Sequence, residues 1–102
     1  MTWTAQMVKD CIDRNDTDVC RAVVTIYRKQ TKSEQGTYST HETNGVGFNK
    51  LDAEILTSFA KQIIFNKSIG RRYLLSRKQM EIARKKVRKY AGQLAKIANG
   101  EI

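Results

Sequence analysis

Proline is absent from all 102 residues, and along most of the chain apolar residues return at intervals of three and four. Proline is the residue that breaks or kinks helices, and a three-to-four interval is the repeat of one helix face. Together they constrain the chain towards helices. A chain of 102 residues can bury one core without disulfide or metal, but has no room for a second domain. With 40% hydrophobic and 28% charged residues, it has the composition of an ordinary globular protein. The expectation is a single helical domain over residues 1–102: an all-α, compact four-helix domain with a long glycine-containing loop between helices 2 and 3.

The helices are placed by their faces and caps. Trp3, Met7, Val8, Cys11 and Ile12 form one face of a first helix, and Asn15–Asp16–Thr17 supplies a polar break. A second helix runs from about Asp18 to Lys32, with Val19, Cys20, Val23, Ile26 and Tyr27 inward. From Ser33 to Phe48 the helical period is lost, and the segment reads as a loop, with Thr37–Tyr38–Ser39–Thr40 as a short strand and Asn44–Gly45 as a turn. Asn49 is placed to cap a third helix whose buried stripe is Ile55, Leu56, Phe59, Ala60 and Ile63, with Asp52 and Glu54 favoured by the positive helix terminus. Phe65 to Gly70 reads as loop. Ser76 and Gln79 then make a capping box, and Asn99–Gly100 a left-handed stop, around one last helix from Ser76 to Ala98.

That last helix holds eight lysines and arginines against one glutamate. Residues 1–58 hold 7 basic against 8 acidic side chains, and residues 59–102 hold 12 against 2, so the net charge of +9 comes from the second half. Met80, Ala83, Val87, Tyr90, Leu94 and Ile97 form its inner seam. At about 100° per residue, Arg77, Arg84 and Arg88 form one outward column. Lys78, Lys85, Lys89 and Lys96 form a second, with Lys86 on the flank and Gly92 between the columns. Ordinary solvated faces mix both signs, whereas such columns neutralise phosphates and release counterions, giving salt-sensitive binding with little sequence preference. Arg71 and Arg72 extend the patch. Few aromatics interleave with these residues; Tyr73 and Tyr90 are nearest, and Tyr90 falls on the inner seam, which weakens a stacking mode of single-strand binding.

Asn44, Gly45, Gly47, Phe48 and Asn49 form a candidate second contact. Two glycines two apart before a helix start bring backbone amides within reach of an anion; alternatively they set a tight turn while Phe48 staples the helix onto the core. The segment matches neither a dinucleotide fingerprint nor a phosphate-binding loop ending in Gly-Lys-Ser/Thr.

Other chemistry is thinly represented. Cys11 and Cys20 fall on apolar faces and read as buried structural thiols in a reduced cytoplasmic setting. His41 is the only histidine, so no metal site, cofactor or enzymatic activity is expected. No secretory leader is predicted from Met1–Thr2–Trp3–Thr4, and no apolar run reaches the roughly 20 residues that span a bilayer.

From Gln30 onward the chain resembles a small module of phage and other mobile-element proteins, of poorly defined function, sometimes free-standing and sometimes appended to helicase-like DNA-processing enzymes. The resemblance is carried by Gln30–Thr31 with Glu34–Gln35, by Asn44 to Asn49 with Asp52–Ala53, and by Leu75 to Gln79 with Ala83–Arg84–Lys85–Lys86, Lys89–Tyr90 and Gln93–Leu94. It implies a DNA-associated accessory role in a bacterium or its phage, with a host or phage DNA-processing protein as a further partner. The sequence thus predicts non-catalytic nucleic-acid binding, DNA favoured over RNA, through Arg71, Arg72, Arg77, Lys78, Arg84, Lys85, Arg88, Lys89 and Lys96. The alternative is a protein-interaction module or inhibitor that docks this basic face on an acidic host surface.

Overall fold

The computed structural model describes residues 2–36 and 47–101, with the side chains of 31–36 left aside. Its elements are α1 (Ala5–Arg14), α2 (Asp16–Gly36), α3 (Lys50–Ser68), α4 (Arg77–Val87), a 3-10 turn (Arg88–Tyr90) and α5 (Ala91–Ala98). The described residues are all-α, as the apolar spacing predicts. Among them no helix is long and apolar enough to cross a membrane.

The central helix is α2, which packs against α1, α3, α4 and α5. Its Val19, Cys20, Ala22, Val23 and Ile26 are buried against Leu56, Phe59, Ala60 and Ile63 of α3 and Ala83 and Val87 of α4. Each fully buried aliphatic contributes about 1.5–3 kcal/mol relative to exposure. This seam therefore dominates the stability and fixes where α4 lies.

Helix boundaries depart from the sequence reading in four places. Trp3 precedes α1 rather than joining it, because Thr4 accepts the Met7 N–H at 3.2 Å as N-cap. Trp3 is instead held by Asn99, through Trp3 N–H to Asn99 Oδ1 at 2.7 Å and Asn99 Nδ2 to Trp3 O at 2.9 Å. Only Asn15 separates α1 from α2, since Asp16 enters the first turn of α2, where the helix dipole favours an acid. α2 runs on to Gly36, there being no proline or earlier glycine to stop it. Finally, α3 continues to Ser68, through residues predicted as loop. Asn66 occupies a core position three residues after Ile63, buried despite being polar because its amide donates to Leu74 O at 2.9 Å.

The caps match the sequence. Asn49 accepts the Asp52 N–H at 2.9 Å, and Ser76 and Gln79 form the reciprocal capping box. Gly70 and Gly100, with φ of +74° and +75°, end α3 and α5. In each, the following N–H returns to a carbonyl five residues back, Arg71 to Asn66 and Glu101 to Lys96. The predicted Thr37–Thr40 strand, the Asn44–Gly45 turn and His41 lie outside the described residues.

Candidate nucleic-acid interface

α4 and the 3-10 turn after it carry Arg77, Lys78, Arg84, Lys85, Arg88 and Lys89 of the predicted contacts, and acidic side chains flank them on both sides. On the α3 side, Asp52 stands in the first turn behind the Asn49 cap, only 1% exposed. Its carboxylate accepts from Tyr90 Oη at 2.7 Å, and it pairs with Lys89 Nζ at 2.6 Å and Lys86 Nζ at 3.2 Å. Burial pushes the Asp52 carboxyl up, but the bonds from Lys89, Tyr90 and Lys86 outweigh it and hold the group at about 2. Burial also pushes the Tyr90 hydroxyl up, to about 12; the Asn49 N–H pulls the other way and the neighbouring carboxylate adds to the rise.

On the other side, Arg84 donates to Ile12 O at 2.9 Å and pairs with Asp16, and Arg88 Nε meets Asp13 at 3.0 Å. The column predicted to face outward through Arg77, Arg84 and Arg88 is thus turned, at two of its three members, onto the α1–α2 junction. The two arginine pairs are partly exposed, and pairs of that kind contribute about 0–1 kcal/mol each. They orient α4 rather than hold it, and an anion can compete for Arg84 and Arg88.

The last helix, predicted from Ser76 to Ala98, is interrupted by the 3-10 turn at Arg88–Tyr90. A 3-10 turn advances about 120° per residue against about 100° for an α-helix, so its three residues rotate α5 relative to α4 by roughly 60°. The turn ends at Tyr90, whose hydroxyl is fixed by Asp52 and Asn49. Lys96, on α5, therefore leaves the column it was predicted to share with Lys78 and Lys85, although it is exposed. Gly92 is open, with nothing within 4 Å of where a Cβ would stand.

The glycine-containing segment is also corrected over its described part. Gly47 N–H donates to Gln93 Oε1 at 2.9 Å, Phe48 N–H to Gln30 Oε1 at 2.8 Å and Asn49 N–H to Tyr90 Oη at 2.9 Å. All three amides that were candidates to cradle an anion are occupied by side chains of α2, α5 and the 3-10 turn. Phe48 packs edge-on against Tyr90, ring centroids 5.6 Å apart, which is the stapling alternative. Gly47 is required here: its φ is +127°, and a Cβ would sit 2.9 Å from Gln30 Oε1. Asn44 and Gly45 lie outside the described residues.

Among the described residues, Arg71, Arg72, Arg77, Lys78 and Lys85 form no ion pair, and all five are exposed or nearly so along the start and crest of α4. Lys78 and Lys85 stand on that crest between its two flanks, and Glu81 is the only acid on the helix. Arg72 and Arg77 line a cleft of about 440 Å³ between the start of α4 and the start of α2, floored by Cys20, Leu75 and Met80. Burial first, then Asp16, pushes the Cys20 thiol up, against an opposite pull from Arg84. Neither Asp52 nor Tyr90 was read as part of a polar centre, because an acid in a first helical turn and an aromatic in an apolar seam each have an ordinary local explanation.

No protein family, curated protein or solved structure matches the chain.

Proposed function

We propose that the protein is a non-catalytic nucleic-acid-binding accessory protein, favouring DNA over RNA, of the phage or mobile-element kind that the resemblance implies. One observation carries this reading: Arg71, Arg72, Arg77, Lys78 and Lys85 form no ion pair among the described residues, although acids elsewhere in the fold have engaged Arg84, Lys86, Arg88 and Lys89. Acids of the fold take up Arg84, Lys86, Arg88 and Lys89, whereas these five have no acidic partner among the described residues. Five phosphate contacts give binding that weakens steeply with salt and depends little on sequence.

An electrophoretic shift assay at low salt tests the reading. The Lys78→Glu, Lys85→Glu double variant changes only exposed positions; it should fold as the wild type does and lose most of its affinity for a mixed-sequence oligonucleotide. Arg88 and Lys89 are poor choices for that test, since their replacement also removes the partners of Asp13 and Asp52. If the wild type shifts no nucleic acid, the reading fails, and docking on an acidic protein surface takes its place.

A further inference from the structure

Tyr73 is 74% exposed, although the turn that carries it is tightly held. Two residues before it, Arg71 N–H bonds Asn66 O at 2.9 Å. One residue after it, Leu74 O accepts from Asn66 Nδ2 at 2.9 Å and Gln62 Nε2 at 3.2 Å, and Leu75 is buried. An aromatic whose flanking backbone is held on both sides while its ring is presented to solvent does not serve the core. The guanidinium of its neighbour Arg72 lies over the ring, 5.6 Å from the centroid, a cation stacked on one face of the aromatic.

The cleft beside Tyr73 is not isolated. A second cleft, of about 430 Å³, runs between α2 and the end of α3 and shares Thr17, Cys20 and Leu74 with the first. The two adjoin along α2 at these residues, so that a ligand crossing them would occupy both as one trough. The second part is lined by Arg21, Arg28 and Lys67 and, among the described residues, by no acid. In the first part Asp16 is paired to Arg84, which leaves Glu81 as its only acid without an ion pair among the described residues. Both parts are therefore mainly cationic, and the first carries an aromatic, Tyr73, next to the shared Leu74.

Resting on the nucleic-acid reading above, we propose that the ligand is single-stranded nucleic acid lying in this trough, with a base stacked on Tyr73 and phosphates met by Arg21, Arg28, Lys67, Arg72 and Arg77. Stacking on an aromatic is open to a strand with unpaired bases and closed to an intact duplex, because every base has a π-face but the duplex hides it. Arg21, Arg28 and Lys67 lie outside the basic C-terminal helix, and Arg21 and Arg28 fall in the half of the chain that has no excess of positive charge. Their signal is positional, Arg21 and Arg28 being seven apart on one face of α2.

Fluorescence anisotropy with a labelled oligonucleotide, single-stranded and annealed to its complement, tests this. The wild type should bind the single strand more tightly. Tyr73→Leu should weaken single-strand binding by roughly ten-fold or more, Tyr73→Phe should bind as the wild type does, and neither should shift the melting temperature by more than a degree or two, roughly the small effect of an exposed substitution. The Arg21→Gln, Arg28→Gln pair should weaken binding and reduce its salt dependence. Equal affinity for both forms, or a Tyr73→Leu variant that binds single strands as the wild type does, overturns the trough proposal and leaves nucleic-acid binding standing. Failure of the wild type to bind either form overturns both.

Discussion

The Tyr90 hydroxyl donates to Asp52 Oδ2 at 2.7 Å and accepts the Asn49 N–H at 2.9 Å, so one oxygen ties the start of α3 to the break between α4 and α5. Asp52 in turn draws Lys86 and Lys89 off the surface that a charge count would assign to a ligand. Tyr90→Phe keeps the packing against Phe48 and removes both bonds. It should cost about 1–3 kcal/mol, the penalty for leaving a buried polar partner unsatisfied, and lower the melting temperature by several degrees in thermal denaturation. A variant as stable as the wild type would show that the hydroxyl is not what joins these elements.

Acid should expose the same centre. Asp52 has a folded-state value of about 2 against an ordinary 3.8. Its contribution is therefore fully present above the ordinary value and is lost as pH falls through about 2. Asp52→Asn lacks this titration. The gap in unfolding free energy between wild type and Asp52→Asn should be constant above about pH 5 and narrow towards pH 2, measured by urea unfolding across that range. A gap that widens on acidification would contradict the assignment.

Gly47 and Gly92 should respond in opposite ways to the same substitution. Gly47→Ala forces a Cβ to 2.9 Å from Gln30 Oε1 at a φ of +127° and should destabilise by about 1–3 kcal/mol. Gly92→Ala meets nothing within 4 Å and should stabilise by about 0.5–1 kcal/mol. Chemical denaturation of both variants separates them; equal effects would mean that the Gly47 segment is not clamped.

Releasing the α1–α2 acids should strengthen binding. Asp13→Asn with Asp16→Asn frees Arg88 and Arg84 from their partners, at a stability cost of about 1 kcal/mol or less for each exposed pair. Affinity for an oligonucleotide should rise several-fold at low salt, with a slope steeper by up to about 2 in log–log form. Unchanged affinity would place these arginines outside the binding surface.

The elements were readable where the local signal and the tertiary role agree. The Asn49 cap, the Ser76–Gln79 box, the Gly100 stop and the Leu56–Phe59–Ala60–Ile63 stripe all appear as predicted. The sequence misled where one residue type serves two roles. Asp52 suits an exposed first helical turn, and nothing within α3 reveals that Tyr90, 38 positions on, buries it. Asn66 is polar in a core position, and the carbonyl it binds belongs to a turn. Arg84 and Asp16 are 68 residues apart, so a column derived from helix geometry cannot show which of its cations are engaged. The Gly47 amides look available until Gln30 and Gln93 arrive from other helices.

The central claim is a division of the basic residues into those that hold the fold and those that meet a polyanion. It is tested most directly by the salt dependence of oligonucleotide affinity in the wild type and in an Arg72→Gln, Lys78→Gln, Lys85→Gln variant. The variant should melt as the wild type does, and its log–log salt slope should be shallower by roughly 2–3, about 0.7–0.9 for each phosphate contact removed. An unchanged slope in a folded variant, or a wild type that binds no oligonucleotide at low salt, would contradict it.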